Sequence, residues 1–175
     1  MAQASTQRRP SQRATTRRKV EPAATPAEIG AADICGGPEP QPWLHGRFHW
    51  NELRTRDAEC AMKFYADTIG WSFAAAATPD GHTYWVAISD GRPVAGLFQL
   101  TDAMFDGVPE SWMSFLAVDD VDARVARAVE AGARLVMPIF DVPNVGRIAM
   151  LQEPSGAGVG WITPVGPQTA KGGGK

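Results

Sequence analysis

Two pairs of turn glycines, Gly81 with Gly91 and Gly146 with Gly156, are each separated by ten positions, and each pair follows a strand-to-helix break. The first break is Thr55-Arg56-Asp57 and the second is Val118-Asp119-Asp120; past the glycines, Val94-Ala95 is matched by Val159-Gly160. A repeat of about 60 residues is too long for a solenoid and describes one supersecondary unit used twice. Alternating and helical periods within each copy predict strand, helix and three strands, so the chain is expected to be α+β, with two βαβββ units over residues 48–100 and 111–164. The two helices are apolar along one stripe only, so each should cover one face of a curved mixed sheet. The opposite, concave face of the paired sheets is then the natural place for a ligand cleft.

The stretch over residues 48–71 carries the first strand and helix. Over 50–55 the side chains alternate, with Trp50, Glu52 and Arg54 on one face and Asn51, Leu53 and Thr55 on the other. Asp57 has the chemistry of an N-cap, Ala58, Ala61, Met62, Tyr65 and Ile69 recur at helical spacing, and Gly70 supplies a left-handed stop. Strands are expected over 72–77, 83–89 and 94–100, then over 112–118, 134–139, 147–151 and 159–163. The second helix should start at Asp119 or Asp120, present Val121, Val125, Ala128 and Val129, and stop at Gly132.

Charge divides the chain. Residues 1–20 hold six basic and no acidic groups, a charge of +6, whereas residues 43–175 hold 11 basic and 15 acidic groups, a charge of −4. Residues 1–42, rich in Ala, Pro, Gln, Ser and Thr, have no apolar period and are expected to be disordered, with 167–175 a flexible C-terminus around a domain over 43–166. No apolar run follows either Arg-Arg pair, which argues against twin-arginine export; an Arg- and Ser-rich start also resembles an organellar transit peptide, against which stands a plain solvated tail. No window of about 18 apolar residues is present to span a bilayer. The net charge of −2 gives no bulk attraction to nucleic acid, leaving only weak contacts of the basic tail. Two cysteines, Cys35 and Cys60, make neither a disulfide framework nor a zinc knuckle and fit a cytoplasmic protein.

The motifs W-x-E-L-x-T-x-D at 50–57, F-Y-x-x-x-x-G-W at 64–71, V-D-D-V-D-A at 118–123, and V-G-R at 145–147 followed by E-P-S-G-A at 153–157 carry a family resemblance. Over roughly residues 45–165 the chain resembles the vicinal oxygen chelate superfamily of glyoxalases, bleomycin-resistance proteins and dioxygenases, and within it a hydroxylase-like branch usually built from two tandem domains. The resemblance implies the paired βαβββ fold, a homodimer, and a small-molecule ligand. It also implies a divalent metal held by His, Gln or Glu on the first and last strands of each unit. Those positions fall at Trp50 and Met113 on the first strands, and at Ala95 or Gly96 and at Gly160 on the last. Indole, thioether and bare backbone do not make that donor set, so no metal and no other cofactor is expected.

Glu52 is the candidate catalytic residue: a carboxylate on a concave apolar face acquires a raised pKa and can serve as base or hydrogen-bond acceptor, or be held in a salt bridge by Arg54 or Arg147. Candidate ligand contacts are Trp50, Glu52, Arg54, Phe98, Met113, Phe115, Phe140 and Arg147, with Tyr84 or Trp85 beside them, a soft aromatic lining for a planar molecule. Trp50 either stacks on that molecule or plugs the volume of the missing metal. Of His45, His49 and His82, only His82 suggests a partner for Glu52, and the plainer role is a turn residue. Function is left between a metal-independent ligand-binding enzyme, a hydroxylase or lyase using Glu52, and a sequestration module of the bleomycin-resistance type.

Overall fold

The computed structural model describes residues 42–78, 81–166 and 168. The expectations of a disordered start and a flexible end fall, apart from Pro42 and Gln168, outside the described residues.

The first unit runs β1 (Arg47–Thr55), α1 (Ala58–Ile69), β2 (Ser72–Ala77), β3 (Thr83–Ser89) and β4 (Arg92–Gln99). The second runs β5 (Ser111–Ala117), α2 (Val121–Glu130), β6 (Arg134–Leu135), β7 (Phe140–Val142), β8 (Gly146–Gln152) and β9 (Gly158–Pro164). The helix ends are built as their residues dictate. Asp57 accepts the Cys60 amide at 2.8 Å, Gly70 closes α1 at φ 79°, and Asp120 accepts the Ala123 amide at the start of α2. Among the described residues no helix is long and apolar enough to cross a membrane.

Nine strands form one mixed sheet in the order β2-β3-β4-β1-β5-β9-β8-β6, with β7 also on β8. The units meet where β1 and β5 pair antiparallel, Trp50 opposite Phe115 and Glu52 opposite Met113. Within each unit the first and last strands are parallel: Glu52 lies beside Gly96 and, in the matching register, Phe115 beside Gly160. A register shift between Phe48 and Trp50 turns Phe48 out of Trp50's face, opposite Leu116, where it is exposed.

Of the run expected as a strand over 134–139 only Arg134–Leu135 is strand, and a second short piece, Phe140–Val142, follows beyond it on the same edge of β8. Pairing continues to the Val136 amide, which bonds Met150 O at 2.8 Å, and fails at Pro138, which has no N–H to offer.

Three apolar clusters define the layers. Ala87, Ala95 and Leu97 pack with Leu53, Ala61, Met62 and Trp85 under α1, and Val118, Val121, Val125, Ala149 and Leu151 pack under α2. The third cluster lies on the other face and draws Tyr84 and Val86 from β3 together with Ile148 from β8. In a flat sheet those strands would lie roughly 24 Å apart, so the sheet must curl around this face.

Candidate functional site

The concave face is built from alternate residues of β1, β3, β4, β5, β8 and β9, with Phe140 added from β7. Trp50, Tyr84 and Phe115 are its buried rings, and Phe98, Met113, Phe140 and Met150 are partly exposed around them. An open cleft was expected here; instead the floor is filled. The reason is two missing side chains. A Cβ on Gly96 would run into the Tyr84 hydroxyl and ring, and one on Gly160 into the Phe115 ring, so each glycine admits an aromatic side chain into the space before it.

A polar chain crosses this floor. The Trp50 indole Nε1–H donates to the Tyr84 hydroxyl at 2.9 Å, and the Tyr84 hydroxyl in turn hydrogen-bonds the Glu52 carboxylate. From the other side the Arg54 Nε–H reaches Glu52 Oε1 at 3.4 Å, and Arg54 Nη2 lies 3.2 Å from Met150 Sδ. Arg54 thus reaches over β5 and β9 to β8, joining the two units. The Glu52 and Arg54 side chains are each 12% exposed, enough to be reached from solvent and too little to be well hydrated. Burial pushes the Glu52 carboxyl above the ordinary carboxylate range, and the charge of Arg54 and the bonds from Tyr84 and Arg54 offset this in part.

Of the residues named from the sequence, Trp50, Glu52, Arg54, Phe98, Met113, Phe115 and Phe140 come together on this face. Trp50 is part of the floor, with its ring N–H already engaged. Arg147 does not join them. It pairs with Thr163 on β9, beneath the start of α2, and its guanidinium bonds Asp122 at 2.6 Å and Asp141 at 2.7 Å. Strand parity separates it, since Ile148 and Met150 take the concave face and Arg147, Ala149 and Leu151 the other. His82 pairs with Asp102 at 3.2 Å and lies edge-on to Phe98. Burial lowers the pKa of His49, and His45 accepts the Asp119 amide. Cys60 is exposed on α1.

Sequence reasoning left Tyr84 as an alternative to Trp85 and missed Met150. Tyr84 pairs with Phe98 on the concave side, while Trp85 packs under α1. The alternation of Ile148 with Met150 was the available signal for the latter. The superfamily's metal can be tested on the same geometry. The four positions carry Trp50, Gly96, Met113 and Gly160, and the volume before both glycines is taken by rings, so these residues do not fit a divalent ion. Among the described residues no three His, Cys, Asp or Glu side chains are grouped to hold one elsewhere.

The sequence profile of the glyoxalase/bleomycin resistance protein/dioxygenase superfamily matches residues 47–160, most of the chain. The chain belongs to this superfamily. Superfamily relatives include a protein of Mycobacterium tuberculosis carrying the provisional name glyoxylase CFP32, 35% identical over 124 residues that cover 70% of this chain and 48% of that one. The anthracycline biosynthesis protein DnrV of Streptomyces peucetius is 29% identical over 119 residues, 62% of this chain and 43% of its own. The chain therefore spans about half the length of these curated relatives. Among solved structures, methylmalonyl-CoA epimerase of Streptomyces coelicolor has the same fold at a TM-score of 0.53 and 18% identity, covering 70% of this chain and 99% of the epimerase.

Proposed function

We propose that this superfamily member binds a small, flat organic molecule at the rim of its concave face and acts without the four-ligand metal centre that the family resemblance implies. The observation that carries this is the pair of glycines, Gly96 and Gly160, whose forward space is filled by Tyr84 and Phe115 while Trp50 and Met113 occupy the remaining two metal positions. With no donor set there, the carboxylate facing the ligand is Glu52, beside Arg54. Its raised pKa makes it a stronger proton acceptor than a solvated carboxylate, and the Tyr84 hydroxyl and Arg54 hold it in one orientation. Phe98, Met113, Met150 and Phe140 offer aromatic and thioether surface to a planar body. The relative named as an anthracycline biosynthesis protein is in keeping with such a ligand, anthracyclines being built on flat fused rings.

The chemistry assigned to Glu52 is a proton transfer: the carboxylate takes a proton from the bound molecule, becomes the neutral acid, and returns it in the same site. Metal analysis of the full chain, purified without chelators, is expected to find only trace metal; stoichiometric iron, manganese, nickel or zinc would overturn the metal-independent mechanism. In any reaction found for the chain, Glu52→Gln should lower turnover by about 10²- to 10⁴-fold with the fold intact. Unchanged turnover would remove Glu52 from the chemistry.

A further inference from the structure

Arg54 is short of partners for so buried a cation. A guanidinium carries five N–H donors in a planar fork shaped to meet a carboxylate or phosphate with two bonds at once. Here the side chain is 12% exposed, yet among the described residues its acceptors are one Glu52 oxygen, at 3.4 Å, and the Met150 sulfur, at 3.2 Å. The first bond is long and single. The second goes to an uncharged thioether, a weak acceptor. Glu52 meanwhile divides its carboxylate between Arg54 and the Tyr84 hydroxyl. Among the described residues no fully enclosed side-chain nitrogen or oxygen lacks a partner, so the guanidinium atoms without a protein acceptor are open to the rim. A half-satisfied cationic fork is thus held open beside Phe98, its neighbour across β4, and beside Met113, which packs on the same face.

We propose that Arg54 anchors a carboxylate of the ligand, so that the molecules this face selects are aromatic or conjugated carboxylic acids. This rests on the concave-face binding described under Proposed function. The acid's two oxygens take the fork that Met150 now half occupies, and its flat body lies against Phe98 and Met113. That arrangement brings the carbon or hydroxyl next to the carboxylate within reach of Glu52. A carboxylate is favoured over a phosphate ester because Glu52 lies 3.4 Å from the same guanidinium, and a second negative charge on the ligand would be set against it.

Three ligands sharing one ring system test this on the full chain by calorimetric titration: 2-naphthoate, 2-naphthamide and 2-naphthyl phosphate. The wild type should bind the carboxylate about tenfold or more tighter than the amide, and tighter than the phosphate. Arg54→Met should bring acid and amide to equal affinity, and Arg54→Lys should keep part of the preference. Equal binding of acid and amide by the wild type would overturn the anchor while leaving concave-face binding standing. A preference that survives in Arg54→Met, or a phosphate bound tightest, would overturn it too. Failure of all three to bind would overturn the anchor together with the reading beneath it. The acid-to-amide ratio in the wild type decides the matter even if Arg54→Met does not fold.

Discussion

Burial sets the Glu52 carboxylate against its surroundings. Its folded-state pKa lies above its unfolded value because burial outweighs what Arg54 and Tyr84 return to the ionised form. A raised carboxyl pKa means that the native state binds the proton more tightly than the unfolded chain. This group's contribution is therefore most favourable below the unfolded value of about 4.3 and declines as pH rises from there through the folded value. Glu52→Gln, a neutral mimic, should unfold at a higher temperature than the wild type near pH 8, and the two curves should converge below about pH 4. Thermal unfolding across that range measures it, and a variant less stable at pH 8 would show that the bonds from Arg54 and Tyr84 outweigh burial. The position of Glu52 was legible in the alternation of β1, because Trp50 and Arg54 flank it at the same parity. Its partner was not. Tyr84 and Trp85 are both aromatic and adjacent, and which of them faces inward depends on the β3–β4 register, a property of pairing that local sequence does not carry.

At the scale of elements, the parallel pairs β1–β4 and β5–β9 each place a glycine beneath a ring. Gly96→Ala and Gly160→Ala should each cost roughly 1–3 kcal/mol, as added carbon in a filled core does, seen as a lower melting temperature. Gly158 is the control in the same strand as Gly160. Its Cβ would meet Met113 Cε at 3.5 Å, an ordinary contact, so Gly158→Ala should be close to neutral. Equal losses at all three positions would point to strand flexibility in place of the rings. Both helices were legible because Asp57 and Asp120 cap with their own carboxylates and Gly70 stops α1 with its own left-handed backbone, all within a turn of the residue itself. Arg147 was not, since β8 is apolar at both parities and only its long-range partners Asp122 and Asp141 reveal the face. The edge strand was misjudged as continuous because Pro138 lies inside a run whose other residues favour extension.

At the scale of the whole molecule, the described residues form one curled sheet whose helices pack on apolar clusters, while surface charge pins the head of α2 and the linker between the units. Asp119 is held by Arg124 and His45 at the head of α2, Asp122 by Arg147, and Glu110 fastens the linker between the units to Thr55 and the Arg56 amide. These partners hold all three carboxyls below their ordinary range. A depressed pKa gives stability that is present above the unfolded value, about 4, and is lost as pH falls through the folded one. The acid side of the stability curve should therefore fall steeply, and the Asp119→Asn, Asp122→Asn double variant should flatten it, as read by unfolding between about pH 2 and pH 7. A variant with an unchanged acid limb would place the loss elsewhere. The repeat made the order of the two units legible, while the clamp at Glu110 lay in a linker with no period to read. The ring-filled glycines also act on history. A substitution that set a carboxylate or imidazole at position 96 or 160 would first collide with Tyr84 or Phe115, so donor and smaller ring would have to arrive together. Each path toward a metal centre that begins at either glycine alone crosses a less stable protein, so in this chain the two rings work as a ratchet.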